Sequence, residues 1–517
     1  MKLNYKHTIL VGFAFFLISA FWQAYEATIP VILTNKFGMN QTWSGVIMAL
    51  DNILALFMLP LFGALSDRCH TRFGKRTPFI AIGTIVAACS ILALAFVDNM
   101  QLKNISDVSS IDDPQAMAVI YDLQGDQKLL TPEGDPIVLS EVFTKEEFTA
   151  IRCKITDPVS GKTITNPDYT NYVAPARQAC AAQATRQNAM PLILFIALLL
   201  IMLVAMSTFR SPAVALMPDV TIKPLRSKAN AIINLMGTAG GILVLVLGIL
   251  FSTSAVQNAL MRYNVYFGIV AAIMLTALTV FLATVREPKW AAEMAADSVK
   301  YGIAEENEEK GVKRQLSSAE KRSLLLILAS IALWYFGYNA VTSKYSVYAG
   351  NILDKDYNTT MLLAQGAAIL SYIPSGNVAS RIGRKKTILA GVVMLAAAFA
   401  AAAIMRAGSP TWVMNALFIL AGVAWATINV NSFPMVVEMC SGGDVGKYTG
   451  FYYTASMSAQ IATPMLSGFL MDRMGMTILF PYAAIFVALA FVTMLLVKHG
   501  DAKVLAKTGL EALDIDD

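Results

Sequence analysis

Charged residues are scarce in this chain. Asp, Glu, Lys and Arg make up only 15% of its 517 residues, whereas a soluble globular domain has about 25%. Hydrophobic residues reach 56%, and the mean hydropathy is +0.57. This balance excludes a disordered chain and disfavours an ordinary soluble enzyme. The net charge of +5 is too small and too dispersed for a nucleic-acid-binding surface, so we expect no nucleic-acid partner.

Histidine and cysteine are also rare. The three histidines, His7, His70 and His499, are far apart in the sequence, none lies in a predicted membrane core, and no constellation of nucleophile and base is evident. The five cysteines include no Cys-x-x-Cys pair. We therefore expect no enzymatic activity, no metal site and no cofactor.

Long apolar blocks dominate what remains. A bilayer core of about 30 Å needs about 20 apolar residues in a helix. Such blocks predict an all-α membrane protein with twelve transmembrane helices, embedded in a lipid bilayer. The blocks are approximately 8–33, 42–65, 77–97, 190–218, 229–252, 263–284, 323–343, 358–379, 386–406, 411–438, 447–470 and 475–497.

Two polar interruptions divide these blocks. Segment 98–189 separates helices 3 and 4, and segment 285–322 separates the first six helices from the last six. We therefore expect an N-terminal bundle (1–97 and 190–284), an insert (98–189), a linker (285–322), a C-terminal bundle (323–500) and a tail (501–517). Cys153 and Cys180 both fall in the insert, where a disulfide between them is possible.

Lys and Arg are distributed unequally between the two sets of short loops. If the N-terminus is cytoplasmic, the inner loops hold twelve and the outer loops six, counting Lys344 among the outer ones. This bias predicts a multi-pass protein of the cell (inner or plasma) membrane with both termini in the cytoplasm. The insert is then extracytoplasmic and the linker cytoplasmic.

The two halves contain related loops. The first reads Gly63-Ala-Leu-Ser-Asp67-Arg68 and continues to Gly74-Lys-Arg-Thr, and the second reads Gly376-Asn-Val-Ala-Ser-Arg381 and continues to Gly383-Arg-Lys-Lys-Thr. Such a repeat predicts two parallel six-helix halves with a substrate site between them. The Asp-Arg to Gly-Lys-Arg signature resembles that of the major facilitator superfamily. Its longer spacing is similar to that of the glycoside–pentoside–hexuronide:cation symporters, and closest to their sucrose-transporter branch.

This resemblance implies alternating access controlled at these loops. Asp67 can pair with the basic residues that follow it, or cap a neighbouring helix. We therefore expect a conformational gating role for Asp67, Arg68, Gly74 and Arg381. The alternative is that the basic residues only fix the membrane orientation.

Three ionisable residues fall inside the apolar blocks, where a charge is costly unless it faces a cavity or a partner. Glu26 lies one turn after Trp22, and Asp51 lies about 14 Å into helix 2. We expect Asp51 and Glu26 to carry the coupling proton. Arg210 is expected to contact substrate or pair with an acid. Each has a structural alternative: a solvated outer Glu, an internal ion pair or a snorkelling arginine.

The resemblance also indicates which ion is coupled to transport. In melibiose-type relatives, helix 2 supplies sodium-binding acids at positions that correspond to Ala55 and Leu59 here, and neither side chain offers an oxygen. The corresponding helix 4 stretch reads Arg210-Ser-Pro212-Ala-Val-Ala-Leu-Met-Pro, so an arginine replaces the family's sugar-binding acid. Coupling to H⁺ is therefore favoured over Na⁺.

Aromatic and amide side chains suit a hydroxyl-rich ligand, because rings stack on C–H faces and amides hydrogen-bond hydroxyls. Each of these side chains can instead join helices. The expected substrate-binding set is Trp22, Gln23, Tyr25, Glu26, Asn52, Arg210, Trp334, Tyr335, Asn339, Gln365, Trp425 and Asn429.

The sequence thus predicts a monomeric symporter of H⁺ and a sugar, either a disaccharide or a glycoside. Two alternatives stay open. One is a carrier of another substrate, either an organic anion or an exported hydrophobic compound. The other is a non-transporting sensor that uses the insert to bind its signal.

Overall fold

The computed structural model describes residues 3–156, 161, 163–222, 225–300, 317–437, 439 and 445–499. A long helix covers each of the twelve apolar blocks. The helices in chain order are α1 (Tyr5–Asn35), α2 (Gln41–Asp67), α3 (Thr77–Asn104), α4 (Ser106–Ser109), α5 (Pro114–Gln124), α6 (Leu139–Val142), α7 (Lys145–Ala150), α8 (Ala174–Gln187), α9 (Met190–Asp219), α10 (Arg226–Phe251), α11 (Asn264–Thr284), α12 (Glu287–Lys300), α13 (Ser318–Tyr348), α14 (Tyr357–Ile382), α15 (Arg384–Ala402), α16 (Thr411–Val437), α17 (Val445–Met474) and α18 (Leu479–Leu495).

Ten helices in the described ranges are long and apolar enough to cross a membrane. The protein is therefore a multi-pass membrane protein. The two other long helices are α14 and α17, which carry more polar residues. Both contact the opposite half of the molecule, α14 through α10 and α17 through α2. Their polarity is consistent with this position, because a helix that faces another helix bundle exposes less of its surface to lipid.

Side chains that accept backbone N–H groups fix the starts of several long helices. The Asn40 side chain accepts the Trp43 N–H at the start of α2. Ser317 and Glu320 form a reciprocal capping box at the start of α13. Asp356 accepts the Thr359 N–H at the start of α14.

The long helices form two hydrophobic cores. The first is built mainly by α1, α2, α3, α9, α10 and α11, and the second mainly by α13 to α18. In the first half α1 packs on α10, α3 on α9 and α11, and α2 on α9. In the second half α13 packs on α17, α15 on α16 and α18, and α14 on α16. Each pairing in one half has its counterpart in the other.

Contacts between the halves follow the same correspondence. Helix α2 packs on α17, α10 on α14, and α1 on α13. The α2–α17 approach is close, because a Cβ at Gly45 would lie 2.0 Å from the Pro464 carbonyl oxygen. Asp472, near the end of α17, accepts the backbone N–H groups of Gln41 and Thr42, each at 2.8 Å. We call this end of the bundle the insert side and the opposite end the loop side.

Segment 105–189, called the insert from here on, folds between α3 and α9 around its own hydrophobic cluster. It contains helices α4 to α8 and two antiparallel hairpins, so the insert adds short strands to a fold that is otherwise all-α. The hairpins pair β1 (Lys128–Leu130) with β2 (Pro136–Val138), and β3 (Lys154–Thr156) with β4 (Thr163–Thr165). Ile105 and Phe148 lie in its core together with Val256 and Leu260 of the α10–α11 link, so the insert packs on the first half.

The structure does not form the disulfide that the sequence left possible in the insert. Cys153 and Cys180 are both free and both buried. They belong to the core of the insert but to different elements, since Cys153 precedes β3 and Cys180 lies in α8. Burial raises the pKa of each thiol to about 11.

Two other predictions concern the ends of the bundle: the loop position of Lys344 and the linker between the halves. Lys344, counted above as a loop residue, lies in α13 and is fully buried, with its Nζ donating to the Gln41 carbonyl oxygen at 2.6 Å. The predicted linker begins with α12, whose Trp290 stacks on His7 of α1. The rest of the linker from 301 to 316, and the tail 501–517, lie outside the described residues.

Candidate functional site

Two acidic residues on neighbouring helices lie at similar depth. Glu26 is nine residues before the insert-side end of α1, and Asp51 is ten residues after the insert-side start of α2. At 1.5 Å per residue each lies about 14–15 Å inside the bundle. Both are partly buried, and their carboxylates interact electrostatically. The first half thus presents a pair of acids near the middle of the bundle.

Arg210 of α9 interacts with one member of this pair, Asp51. This interaction is electrostatic, and no ion pair within 4.0 Å joins the two side chains in the part of the chain that is described. Asp51 instead accepts a hydrogen bond from its neighbour Asn52, Nδ2 to Oδ1, at 2.8 Å. Arg210 is partly exposed rather than locked in a contact. Its guanidinium therefore keeps donors that a ligand could use.

The second half supplies an aromatic stack. The rings of Tyr338 on α13 and Trp425 on α16 are 3.6 Å apart and nearly parallel, and Tyr335 meets Trp425 edge-on at 5.2 Å. Tyr338 interacts electrostatically with Glu26 of α1. The stack and Glu26 thus approach each other across the boundary between the halves.

An amide pair joins the halves directly. Gln365 of α14 donates from Nε2 to Gln23 Oε1 of α1 at 2.6 Å. Gln23 in turn donates from Nε2 to the hydroxyl of Tyr357 at 3.3 Å. Gln23 is buried and Gln365 is partly buried. These contacts hold α1 against α14 at a depth close to that of Glu26.

The remaining residues of the expected site differ from one another in burial and in hydrogen bonding. Trp22 packs edge-on against Tyr25, and Trp22 Nε1 and the Tyr25 hydroxyl are buried without a partner in the described chain. Asn339 Nδ2 is likewise buried and unpartnered there. Asn429 is partly buried. Trp334, by contrast, is 1% exposed inside the second hydrophobic core, so its ring packs there and does not reach the polar interior.

Four residues outside the expected set belong to this region or border it. Tyr338 and Tyr357 contact it as described, and Lys344 and Asp472 close the insert side above it. Tyr338 has a sequence signal, since it lies one turn from Tyr335 on the same helix. The partners of Tyr357, Lys344 and Asp472 depend on how distant helices pack, which spacing along one helix does not show.

The loop from Asp67 to Thr77 forms an ionic network on the loop side. Arg76 donates to Asp67, to Ser66 and, from Nε at 2.8 Å, to Asp219 at the end of α9. Asp67 therefore does pair with the basic residues that follow it. Arg68 and Arg381 are exposed, and neither belongs to the network as far as the described residues extend.

Glu287 of α12 completes this network by capping α3. Its carboxylate accepts the backbone N–H groups of Lys75, Arg76 and Thr77 at 2.7–3.2 Å. Gly74 has a φ of +111°, and a Cβ there would lie 2.2 Å from the Glu287 side chain. Glycine is needed at position 74 for both its conformation and its lack of a side chain.

No group of three or more metal-binding side chains occurs within the described ranges. Ala55 and Leu59, the positions that correspond to sodium ligands in the melibiose-type pattern, lie on α2 beyond Asp51, about one and two helical turns further from the insert side. The chemistry available in the interior is therefore that of two acids, one arginine, amides and aromatic rings.

Two family models match the chain. The Major Facilitator Superfamily model matches residues 176–371 and 356–512, and the model described as MFS/sugar transport protein matches residues 10–106. Curated relatives align over short segments only. A sucrose transport protein, SUC4 of Arabidopsis thaliana, is 30% identical over 74 residues, which is 14% of each chain. The MFS-type transporter ppzB of Metarhizium majus is 26% identical over 124 residues, 24% of this chain and 26% of that protein.

Solved structures align over nearly the whole chain. The xylose transporter XylE from E. coli in an inward-open conformation has a TM-score of 0.59 at 14% identity, covering 95% of this chain and 96% of that one. The nucleoside transporter NupG has a TM-score of 0.55 at 14% identity, covering 95% and 100%. A bacterial metal transporter reaches 0.56 at 12% identity, covering 96% and 98%. Since these proteins are named for different substrates, the likeness shows the fold alone.

Proposed function

The chain belongs to the major facilitator superfamily, a family of membrane transporters and not of enzymes, and from that premise we propose that it is a sugar:H⁺ symporter that works by alternating access. One observation carries this proposal. Glu26 of the first half interacts electrostatically with Tyr338 of the Tyr338–Trp425 stack in the second half, and also with Asp51, which in turn interacts with Arg210.

A sugar suits the chemistry of this interior. The Trp425 and Tyr338 rings offer apolar faces for the C–H groups of a pyranose, and Gln365 and Asn429 offer amides for its hydroxyls. Glu26 can accept further hydroxyl hydrogen bonds. The match to the MFS/sugar transport protein model and the likeness to a sucrose transport protein support this substrate class. We assign the chain to the glycoside–pentoside–hexuronide:cation symporters, in the sucrose branch.

The coupling ion is proposed to be H⁺. Asp51 is the acid deepest in α2, and it has only the amide of Asn52 as a direct partner among the described side chains. Such an acid can bind a proton when the site is exposed to one side and release that proton when the site is exposed to the other. Ala55 and Leu59 supply no oxygen for a sodium ion.

Alternating access needs two halves that move as units. We propose twelve transmembrane helices in two six-helix repeats, because the main helix pairings of one half have counterparts in the other. The network of Asp67, Arg76, Asp219 and Glu287 then moves with the first half and positions the ends of α2, α3 and α9. We retain gating roles for Asp67 and Gly74 on this basis, and for Arg68 and Arg381 from the loop repeat.

The orientation follows from the Lys/Arg bias of the loops. We propose that both termini and the Asp67–Thr77 loop are cytoplasmic, that the insert is extracytoplasmic, and that the protein acts as a monomer in the cell membrane.

Uptake into proteoliposomes tests the function. A panel of labelled disaccharides, glycosides and monosaccharides would be offered with an imposed pH gradient or an imposed sodium gradient, one at a time. We expect accumulation of at least one disaccharide or glycoside with the pH gradient, and its collapse with a protonophore. Accumulation driven by sodium alone, or by neither gradient, would contradict the proposed coupling.

One observation favours a second candidate, a carrier of an organic anion. The Arg210 guanidinium has no carboxylate within 4.0 Å in the described chain, so it could bind a carboxylate substrate. Thermal unfolding with glycosides and with small organic acids separates the two. Stabilisation by organic acids that Arg210→Gln abolishes, with no effect of glycosides, would favour the anion carrier.

A further inference from the structure

The insert joins the two halves on one side of the bundle. It is covalently part of the first half, because α3 leads into it and α9 follows it. Noncovalent contacts also fix it there. Gln178 of α8 donates from Nε2 to the Met39 carbonyl oxygen in the α1–α2 link at 3.1 Å, and the α10–α11 link packs in its core. The insert is therefore expected to move with the first half.

Among the described residues, three contacts connect the insert to the second half, one at each of its insert-side links. Thr165 of β4 donates from Oγ1 at 2.6 Å and from its backbone N at 3.2 Å to Asp354 in the α13–α14 link. Glu133, in the turn between β1 and β2, forms an ion pair at 3.3 Å with Arg406 in the α15–α16 link.

The third contact is made by main chain alone. The Pro132 carbonyl oxygen accepts the Met476 N–H of the α17–α18 link at 2.8 Å. Gly134 and Gly475 touch so closely that a Cβ on Gly475 would lie 2.0 Å from the Glu133 carbonyl oxygen. No side chain fits between these two segments, so the hairpin turn is seated directly on the link.

We propose that the insert is a strap that docks on the second half and must leave it each time the insert side opens. The inference rests on the proposed alternating access. All three contacts lie at the ends of the helices, where a rocking motion about the middle of the bundle separates the halves furthest. None of them can survive that separation, because each joins the first half to the second.

The three contacts are expected to contribute unequally. Glu133 and Arg406 are about half exposed, with 50% and 43% of their side chains accessible, so solvent screens their attraction. The Thr165–Asp354 contact combines two hydrogen bonds to one carboxylate, and Thr165 is 8% exposed. Charge-assisted hydrogen bonds away from solvent are stronger. Asp354 is therefore the best position at which to weaken the strap.

Distances between spin labels can test the strap without a known substrate. One labelled pair on the insert side, Val265→Cys with Trp412→Cys, and one on the loop side, Phe73→Cys with Ile382→Cys, place an exposed label on each half. Cys69, Cys89 and Cys440 would be replaced by serine. Distance distributions would be measured by pulsed electron paramagnetic resonance on the full chain in nanodiscs, over a range of pH.

The strap is weakened in the double variant Asp354→Asn, Glu133→Gln. Asn tolerates the left-handed backbone at position 354, where φ is +50°. We expect the fraction of long insert-side distances to rise several-fold over the parent. The matched control is Asp122→Asn, which breaks the Lys145–Asp122 ion pair within the insert and leaves all three contacts intact. It should leave the distribution unchanged.

A pair of variants at one position covers the case in which the double variant does not fold. Thr165→Ala removes the hydroxyl donor to Asp354 and leaves only the backbone N–H, whereas Thr165→Ser keeps a hydroxyl, so only the alanine should increase the open fraction. If the parent interconverts between two distances and the strap variants match it, the strap is wrong and alternating access stands. If neither labelled pair ever shows a second distance, alternating access is wrong and the strap falls with it.

Discussion

The depth of Asp51 in the bundle determines which roles its carboxylate can have. Its carboxylate lies about 15 Å inside the bundle by helical rise, next to Asn52 and within electrostatic range of Arg210 and Glu26. A permanently charged group at that depth is costly, whereas one that binds and releases a proton can be neutral in one state and paired in another.

We expect Asp51→Asn to abolish coupling while preserving the site. The amide has nearly the same shape but carries no titratable proton, so uptake driven by a pH gradient should fall by about tenfold or more. Exchange of labelled for unlabelled sugar at equal pH needs no net proton movement and should persist. The control is Asp107→Asn in the insert, which should retain both activities. Gradient-driven uptake that survives in Asp51→Asn would assign the proton to another residue.

The free thiols of the insert give a second prediction at this scale. The thiolate is the reactive form, and burial raises the pKa of Cys153 and Cys180 to about 11. Ionisation alone should slow maleimide labelling at pH 8 on the order of 100-fold relative to a thiol with a pKa near 8.5. Because the folded pKa is raised, any stability that these thiols contribute is present at neutral pH and is lost as pH rises towards 11.

Mass spectrometry of the labelled protein would check this. Cys69, in the loop after α2, is more exposed and serves as the internal reference. We expect Cys153 and Cys180 to be unmodified in the native protein at pH 8 and modified after denaturation without a reducing agent. Modification that requires prior reduction would show that the two sulfurs are bonded after all.

Sequence reasoning works unevenly among these residues. Glu26, Asp51 and Arg210 could be singled out because an ionisable group in an apolar block is conspicuous without any structure. Gln365 belongs to the expected set, and Tyr338 lies one turn from Tyr335. The groups that they and Tyr357 face could not be predicted, because those contacts depend on which helices pack against each other. Trp334 shows the converse error, because an aromatic residue suited to sugar binding lies in the hydrophobic core instead.

The start of α3 is where local sequence, packing and function meet at the scale of one element. The helix begins at Thr77, and Glu287 of α12 supplies acceptors for three N–H groups at that end. An anion at a helix N-terminus is favoured by the helix dipole. The cap also ties α12 to the loop that holds Asp67 and Arg76.

Gly74→Ala should disrupt this junction. The left-handed φ of +111° costs an alanine about 1–3 kcal/mol, and the methyl group would displace the Glu287 carboxylate. We expect a lower temperature of thermal unfolding in detergent. Gly161→Ala is the matched control, because it has a φ of +66° but no atom within 4 Å of its Cβ. Equal destabilisation by the two changes would mean that the contact with Glu287 contributes nothing.

Elements were predictable to the extent that hydropathy defines them. The apolar blocks each contain a long helix, because an apolar stretch in a bilayer must satisfy its backbone internally. The insert was a different problem, since its short strands and helices are held by a small core and by contacts to distant links. Asp356 caps the helix that directly follows it, which is a local contact. Asp472 shows the limit, because its carboxylate accepts N–H groups at the start of a helix more than four hundred residues away.

At the scale of the whole molecule, the contacts between the two halves described above lie toward the same end of the bundle. Asp472 and Lys344 hold α2 to the second half, Gln23 and Gln365 join α1 to α14, and the insert contacts the links above. All of these contacts lie from mid-depth to the insert side. The loop-side network around Arg76, by contrast, joins elements of the first half only. The structure therefore has its halves bound together on the insert side.

The membrane topology decides whether the closed insert side faces out of the cell. The distribution of Lys and Arg among the loops predicts that it does. A membrane-impermeant maleimide should label Val142→Cys in the insert of intact cells and label Phe73→Cys only after permeabilisation. Both positions are exposed, with 47% and 57% of the residue accessible, so burial does not bias the comparison. The other exposed cysteines would be changed to serine. The reason is the excess of Lys and Arg in the loops on the Phe73 side, which retains those loops in the cytoplasm. Labelling of Phe73→Cys but not Val142→Cys in intact cells would invert the orientation, and the closed insert side would then face the cytoplasm.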